Sequence, residues 1–318
     1  PLLVGKRLET IAGRTLLFTL VLSALSVVIG IALVNIIRPG DRVDLGVAAP
    51  AAAEVQALSA NAAAVKPIGD VIVELIPRNP FDSAVRALDG EMLPLMVFAV
   101  IFGVAISATS KGTGGHNVLM RLLEQIFDAC MRIVHAAMTF SPIAVFAIIF
   151  NTAFTFGTAV FASLFLYVLT VIVGLLLQQF GVYSVLLRVV ARRSPMEFFR
   201  NCRDVYLYAF STASSNATLP LALDVADTKL KLPPDIARFV LTVGSTANQN
   251  GTALFEGITV LFLAQVYGLD LGAGQQFRVM LMSILAGVGT AGVPGGSLPM
   301  VLIVAQSVGV PAEGMGFI

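Results

Sequence analysis

From about Ile236 to Val266 the chain is apolar over a length that crosses a bilayer, yet its centre is polar. Gly244-Ser245-Thr246-Ala247-Asn248-Gln249-Asn250-Gly251-Thr252-Ala253-Leu254-Phe255-Glu256-Gly257 carries three side-chain amides, a carboxylate and several hydroxyls. In hydrocarbon such groups are costly unless they face protein or water, so a polar island at membrane depth marks a functional site. Glycines beside Asn and Thr also let a helix unwind and turn its carbonyls toward an ion. The stretch therefore predicts the unwound centre of a helix and excludes a plain lipid-facing span.

Composition places that helix in a membrane protein. Of 318 residues 57% are hydrophobic and 12% charged, against about a quarter charged in ordinary soluble domains. The net charge of +1 offers no basic face to a nucleic acid. Cys130 and Cys202 stand far apart and imply neither a disulfide framework nor a metal site; both read as small buried hydrophobes. The chain opens at Pro1 without an initiator Met and stops at Ile318 inside an apolar run, so both ends read as cut.

Thr15 to Ile37 carries no charge and suits one crossing, a helix at about 14–37 whose cytoplasmic end is marked by Lys6, Arg7 and Arg14. Residues 41–66, polar and Ala-rich, read as an external loop. Pro67 to Pro77 is too short to span, and Met92 to Ser107 runs inward. Val118 to Thr139 sets Arg121, Glu124, Asp128 and Arg132 among Leu, Ile and Met, an amphipathic helix that continues through Pro142 into Ile143 to Phe150. Phe156 to Val182 is the next span. Arg188, Arg192, Arg193, Arg200 and Arg203 place the loop after it inside. His116 and His135 receive no role.

Two further segments, Val205 to Ala226 and Leu281 to Val308, are interrupted at their middles. Ser211-Thr212-Ala213-Ser214-Ser215-Asn216 breaks the first, and a Gly-rich run from Gly287 to Ser297 that includes Pro294 breaks the second. Each half is about half a bilayer long, as in a re-entrant hairpin whose irregular tip is buried in protein. Ala217 to Ala226 also aligns without gaps to Gly296 to Ala305, sharing Leu-Pro, a later Leu and Val-Ala. Paired, interrupted segments are a sequence pointer to a transporter site.

These residues resemble a known family, the dicarboxylate/amino acid:cation symporters or glutamate transporter homologues. The likeness rests on Ala209-Phe210-Ser211-Thr212-Ala213-Ser214-Ser215-Asn216-Ala217-Thr218-Leu219-Pro220, on Asn248-Gln249-Asn250-Gly251-Thr252, and on Gly289-Thr290-Ala291-Gly292-Val293-Pro294-Gly295. It runs from the family's third helix to its second hairpin; the first two helices and the last are expected to lie outside the chain. The resemblance implies an all-α polytopic protein of the plasma (inner) membrane with the elevator fold and two re-entrant helical hairpins. It implies a homotrimer in which mobile domains carry substrate across, gated by the second hairpin. Residues 1–110 would hold scaffold and the first transport helix, 111–195 amphipathic and scaffold helices, and 196–318 the transport core. Within the core, a hairpin at 200–227, an unwound helix at 235–267 and a hairpin at 278–310 are expected.

By the same resemblance Ser214 and Ser215 offer groups to a substrate carboxylate, which suits half-helix N-termini rich in free N–H groups. Thr252, Val293 and Gly296 complete the pocket wall. Gly244 and Asn248 contribute to one sodium site whose other ligands belong to the last helix; Thr246, Gly287, Val288 and Thr290 form a second, made largely of carbonyls. The implied function is cation-coupled uptake, by sodium and/or proton, of an acidic amino acid or C4-dicarboxylate, without enzymatic activity or cofactor.

Departures from the family pattern cluster at a third sodium site. Where the family reads Asn-Met-Asp-Gly-Thr this chain has Gln249 and Asn250, so a carboxylate is replaced by an amide at a candidate cation-binding position. Positions that join the site as Tyr, Thr and Ser hold Thr19, Leu22 and Ser23. That site is expected to be lost or rebuilt. Ala213 replaces an arginine found in some members. Glu256, one turn after Thr252, stands where some relatives have a carboxylate implicated in proton or potassium coupling; a candidate proton carrier, it is equally a group that faces water or a helix terminus.

Other readings are a membrane protease, an anion channel and a non-transporting protein on the same fold. A protease needs facing carboxylates or a Ser–His pair, and Asp128, Asp224 and His135 have no matching partner motif. The sequence leaves open aspartate, glutamate, neutral amino acids and C4-dicarboxylates.

Overall fold

A computed structural model describes residues 2–42, 77–85, 92–109, 118–140, 159–290 and 296–311, with single positions 143, 146, 147, 150 and 154. The described residues are helical with no strand. The chain divides into two compact units, residues 1–65 with 162–316 in one and 66–161 in the other.

In the larger unit α1 is a single helix, Leu2–Ile37. It extends well before residue 14 because Gly5 and Gly13 are the only strong helix disfavourers there and no proline intervenes. It ends where Arg38 turns left-handed, at φ 48°, and Pro39 cannot continue the helix. A 3-10 turn, Pro39–Arg42, follows, and Arg38 pairs with Asp41 across it. Most of the expected external loop, 43–66, lies outside the described residues.

The smaller unit holds α2 (Pro80–Val85), α3 (Met92–Thr109) and α4 (Val118–Thr139). α3 is apolar on all sides, whereas α4 alternates charged and apolar faces. Pro142 lies outside the described residues. Cys130 is exposed on α4 rather than buried; Cys202 is buried in the larger unit.

α5 (Ala159–Leu176) passes through a π-helical turn, Leu177–Val182, into α6 (Tyr183–Val189). The stretches Ile11–Asp41 and Leu164–Val189 are long and apolar enough to cross a membrane. α7 (Pro195–Asn201) starts on Ser194, whose hydroxyl accepts from the Glu197 N–H. The remaining elements come in broken pairs: α8 (Arg203–Thr212) with α9 (Ser215–Thr228), α10 (Pro234–Ala247) with α11 (Asn250–Val266), and α12 (Ala273–Gly289) with α13 (Leu298–Ser307).

α11 is the axis of the unit. Ala253, Leu254, Ile258, Val260, Phe262 and Leu263 are sealed from solvent, and α1, α12 and α13 pack around them. Small residues let the backbones close up, as at interhelical contacts within membranes. A Cβ at Gly30 would lie 3.0 Å from Ile258 Cγ1, and one at Gly174 3.1 Å from Leu254 Cδ2. Tyr167 on α5 meets Thr259 at 2.8 Å and stacks on Phe262.

Candidate functional site

The break between α10 and α11 falls at Asn248-Gln249, inside the polar run. Upstream, the last backbone bond of α10 runs from Asn248 N–H to the Gly244 carbonyl at 3.0 Å; downstream, Ala253 N–H reaches the Gln249 carbonyl at 3.0 Å. The carbonyls of Ser245, Thr246, Ala247 and Asn248 lose their helical donors in between. Gln249 restores one of them: its side-chain Nε2 donates to the Ser245 carbonyl at 2.8 Å. Thr246, Ala247 and Asn248 are left with carbonyls that have no backbone partner among the described residues. Such oxygens suit a hard cation. Among the described residues no group of three His, Cys, Asp or Glu side chains forms a metal cluster. Asn248 and Thr246 are exposed here, and the Thr246 hydroxyl donates to the Val243 carbonyl at 3.1 Å.

The tip between α8 and α9 approaches this break. Ala213 is left-handed, at φ 47°, and reverses the chain; Ser214 then caps α9, its hydroxyl accepting from Ala217 N–H at 3.2 Å. Ser215 is the residue that reaches out. Gln249 Nε2 donates to its hydroxyl at 3.2 Å. Ser215, one of the two serines called substrate ligands, and the residue at the break are thus in direct contact, whereas the Ser214 hydroxyl caps its own helix.

α12 arrives from the other side. Gly287 is buried, and a Cβ there would lie 3.1 Å from Ala253 Cβ and 3.3 Å from the Gln249 carbonyl oxygen, so only glycine lets α12 come so close without displacement. α12 stops at Thr290, whose backbone is extended and whose hydroxyl returns to the Ala286 carbonyl at 2.8 Å. Val288 and Thr252 are half-buried beside this seam, and Gly296 precedes α13. Val293 lies outside the described residues. In the repeat alignment Leu298 corresponds to Leu219, so α13 begins one turn later than α9. Gly295-Gly296 and a Ser297 that makes no capping bond explain the late start.

Asn250 sits on the face of α11 turned toward α1 and α6. Ser23 donates to its Oδ1 at 2.8 Å and Ser26 to its carbonyl at 2.9 Å, while its Nδ2 donates to the Tyr183 hydroxyl at 3.0 Å. Thr19 is buried and Leu22 half-buried one turn away on α1. Two of these partners, Ser26 and Tyr183, were not legible as site residues. Ser26 lies three residues after Ser23 and so shares its helix face; Tyr183 gave no such signal, because its direction depends on the π turn before it.

Glu256 is fully buried, and neither carboxylate oxygen has a hydrogen-bond partner among the described residues. Its burial removes the reading in which it faces water. Ser283 Oγ on α12 is likewise buried and unpartnered.

Comparison with known proteins gives the same direction over the whole length. The sequence profile described as "Sodium:dicarboxylate symporter family" matches residues 2–318. The "Proton/sodium-glutamate symport protein" of Bacillus subtilis (strain 168) is 32% identical over 314 residues, 99% of this chain and 71% of the relative. The "Proton/glutamate-aspartate symporter" of Escherichia coli (strain K12) is 32% identical over 322 residues, again 99% and 71%. "Excitatory amino acid transporter 3" of Mus musculus is 35% identical over 223 residues, 70% of this chain and 42% of the relative. A helical chain whose broken helices meet at a polar break, matched end to end by this profile, belongs to the sodium:dicarboxylate symporter family of membrane transporters.

Proposed function

We propose that this protein is a secondary active carrier that couples entry of glutamate, aspartate or a C4-dicarboxylate to a sodium and/or proton gradient. The carrying observation is convergence: Ser215 from one helix pair and Gly287 from another both meet Gln249 at the break of the transport helix. In this reading the two pairs are re-entrant hairpins of a transport core, 196–318, which moves as an elevator within a homotrimer of the inner membrane. Ser215 and the N–H groups of the Ser214 cap take a substrate carboxylate, with Thr252, Val293 and Gly296 as the remaining wall. Gly244 and Asn248 serve one cation; Thr246, Gly287, Val288 and Thr290 serve a second through the carbonyls freed at the break and at the end of α12. The names of the two bacterial relatives, both glutamate symporters, support an acidic amino acid as cargo.

Asn250 replaces the carboxylate of the third site, and the carrier accordingly couples to fewer sodium ions than three-sodium relatives or to another cation. Glu256 is the proton carrier of the cycle, buried in α11 about two turns beyond the break and free of any competing hydrogen bond among the described residues.

Reconstituted full-length protein tests the reading with L-glutamate, L-aspartate and a C4-dicarboxylate while sodium, proton and potassium gradients are varied singly. Saturable uptake that collapses without a sodium or proton gradient is expected. Flux that neither saturates nor needs a gradient would favour an anion channel instead. A sodium Hill coefficient and charge-per-substrate ratio equal to those of three-sodium relatives would refute the reduced stoichiometry.

A further inference from the structure

The cluster around Asn250 belongs to neither proposed cation site nor to the substrate pocket. It joins α1, α6 and α11 at one buried point, with Ser23, Ser26 and Asn250 each no more than 3% exposed. Both polar atoms of the Asn250 side chain have a partner without an ion. Oδ1 accepts the Ser23 hydroxyl, the Ser26 hydroxyl lies 2.9 Å from both the Asn250 and the Ser23 carbonyls, and the amide nitrogen, a donor, faces the Tyr183 oxygen. A cation there would have to displace the Ser23 hydroxyl from Asn250 Oδ1, and none of Ser23, Ser26, Tyr183 and Asn250 carries a negative charge to offset its desolvation.

The π turn Leu177–Val182 is what delivers Tyr183. A π turn adds one residue to a helix, so the residues after it sit about 100° from where an uninterrupted α-helix would place them. The same turn holds Gln178 within hydrogen-bond reach of the Leu22 carbonyl on α1, at 3.4 Å. Contacts to both α1 and α11 thus depend on one irregularity, and irregular turns of this kind concentrate at functional positions.

We propose that Tyr183 is a positioning residue of the carrier. Together with Ser23, Ser26 and Asn250 it forms an ion-independent clasp that fixes the first turn of α11 against α1 and α6. Asn250 adjoins Gln249 and lies two residues before Thr252, so the clasp sets where the break meets Ser215 and where Thr252 faces the substrate. The effect on transport rests on the carrier reading above; the clasp itself does not.

The test uses full-length protein. Tyr183→Phe keeps the ring and strands the Asn250 amide; Ser23→Ala loosens the opposite side of the clasp without touching Tyr183. For both variants the half-saturating L-glutamate or L-aspartate concentration is expected to rise on the order of fivefold, the size of one lost buried hydrogen bond. The steepness of sodium activation stays that of the parent, and the unfolding temperature falls equally in sodium chloride and choline chloride. A shallower sodium activation curve, or a loss of unfolding temperature in sodium alone, would make the cluster a cation site and overturn the proposal. Parental half-saturation and unfolding temperature in both variants would overturn it too. Absence of any cation-dependent uptake by the parent overturns the carrier reading and the positioning role with it; the unfolding arm still decides the clasp, equal loss in both salts upholding it and loss in sodium alone refuting it.

Discussion

Glu256 shows how a single residue can be recognised by sequence and then sharpened by structure. Its spacing from Thr252 placed it near the site but left open whether it faced water. The structure seals it completely and gives neither oxygen a partner among the described residues. Glu256→Gln preserves shape and removes the exchangeable proton, so it is expected to abolish the pH-dependent component of uptake; uptake measured across pH decides this, and an unchanged pH profile would refute the role. Gln249 tells the opposite story. The sequence marks it only as a departure from the family pattern, because nothing in one dimension shows that a side-chain amide will cap the Ser245 carbonyl and meet Ser215.

Among the elements, the 3-10 turn Pro39–Arg42 packs on α11 with no room for added atoms. A Cβ at Gly40 would fall 2.5 Å from Gln265 Cβ and 2.6 Å from the Phe262 carbonyl oxygen, with backbone on two sides. Gly40→Ala is therefore expected to destabilise by about 1–3 kcal/mol. Gly13→Ala is the control. Nothing lies within 4 Å of a Cβ there, so a better helix former should gain about 0.5–1 kcal/mol. Thermal unfolding in detergent separates the two by sign. At the base of the α8–α9 pair, outside the two stretches able to cross a membrane, Lys229 lies 2.6 Å from Asp204 and holds its carboxyl below the ordinary value of 3.8. A depressed carboxylate contributes stability above its unfolded pKa and loses it as pH falls through the folded value. Both groups are exposed, so the effect is small. Unfolding temperature followed downward through pH 3.8 should drop more for the parent than for Asp204→Asn.

For the whole molecule, what could be read from sequence is what depends on composition and local punctuation. Low charge and long apolar runs gave an all-helical membrane protein, and Ser-, Gly- and Pro-rich centres marked where helices stop. The break at Asn248-Gln249 lies within the run Gly244 to Gly257, and the tip at Ala213-Ser214 lies within Ser211 to Asn216. Convergence of these points was not written in any one of them. It arises from long-range contacts, Gly287 against the Gln249 carbonyl and Asn250 against Tyr183, which depend on helix register and on glycines whose purpose shows only when the neighbouring backbone is in place.

The π turn in the second apolar rod has a consequence for how this chain can change length. Its surplus residue lets Gly174 and Tyr167 on one side, and Tyr183 on the other, all face α11 or its first turn. Deleting one residue between Leu177 and Val182 would relax the turn to α-helix and leave both flanks aimed as before. The same deletion a turn earlier, at Ile172 or Val173, would turn Gly174, which lies between the deletion and the π turn, about 100° away from Leu254. The first deletion should yield folded protein and the second should not, as judged by monodisperse elution in detergent; length variation among members of this lineage is accordingly expected to gather at this one turn.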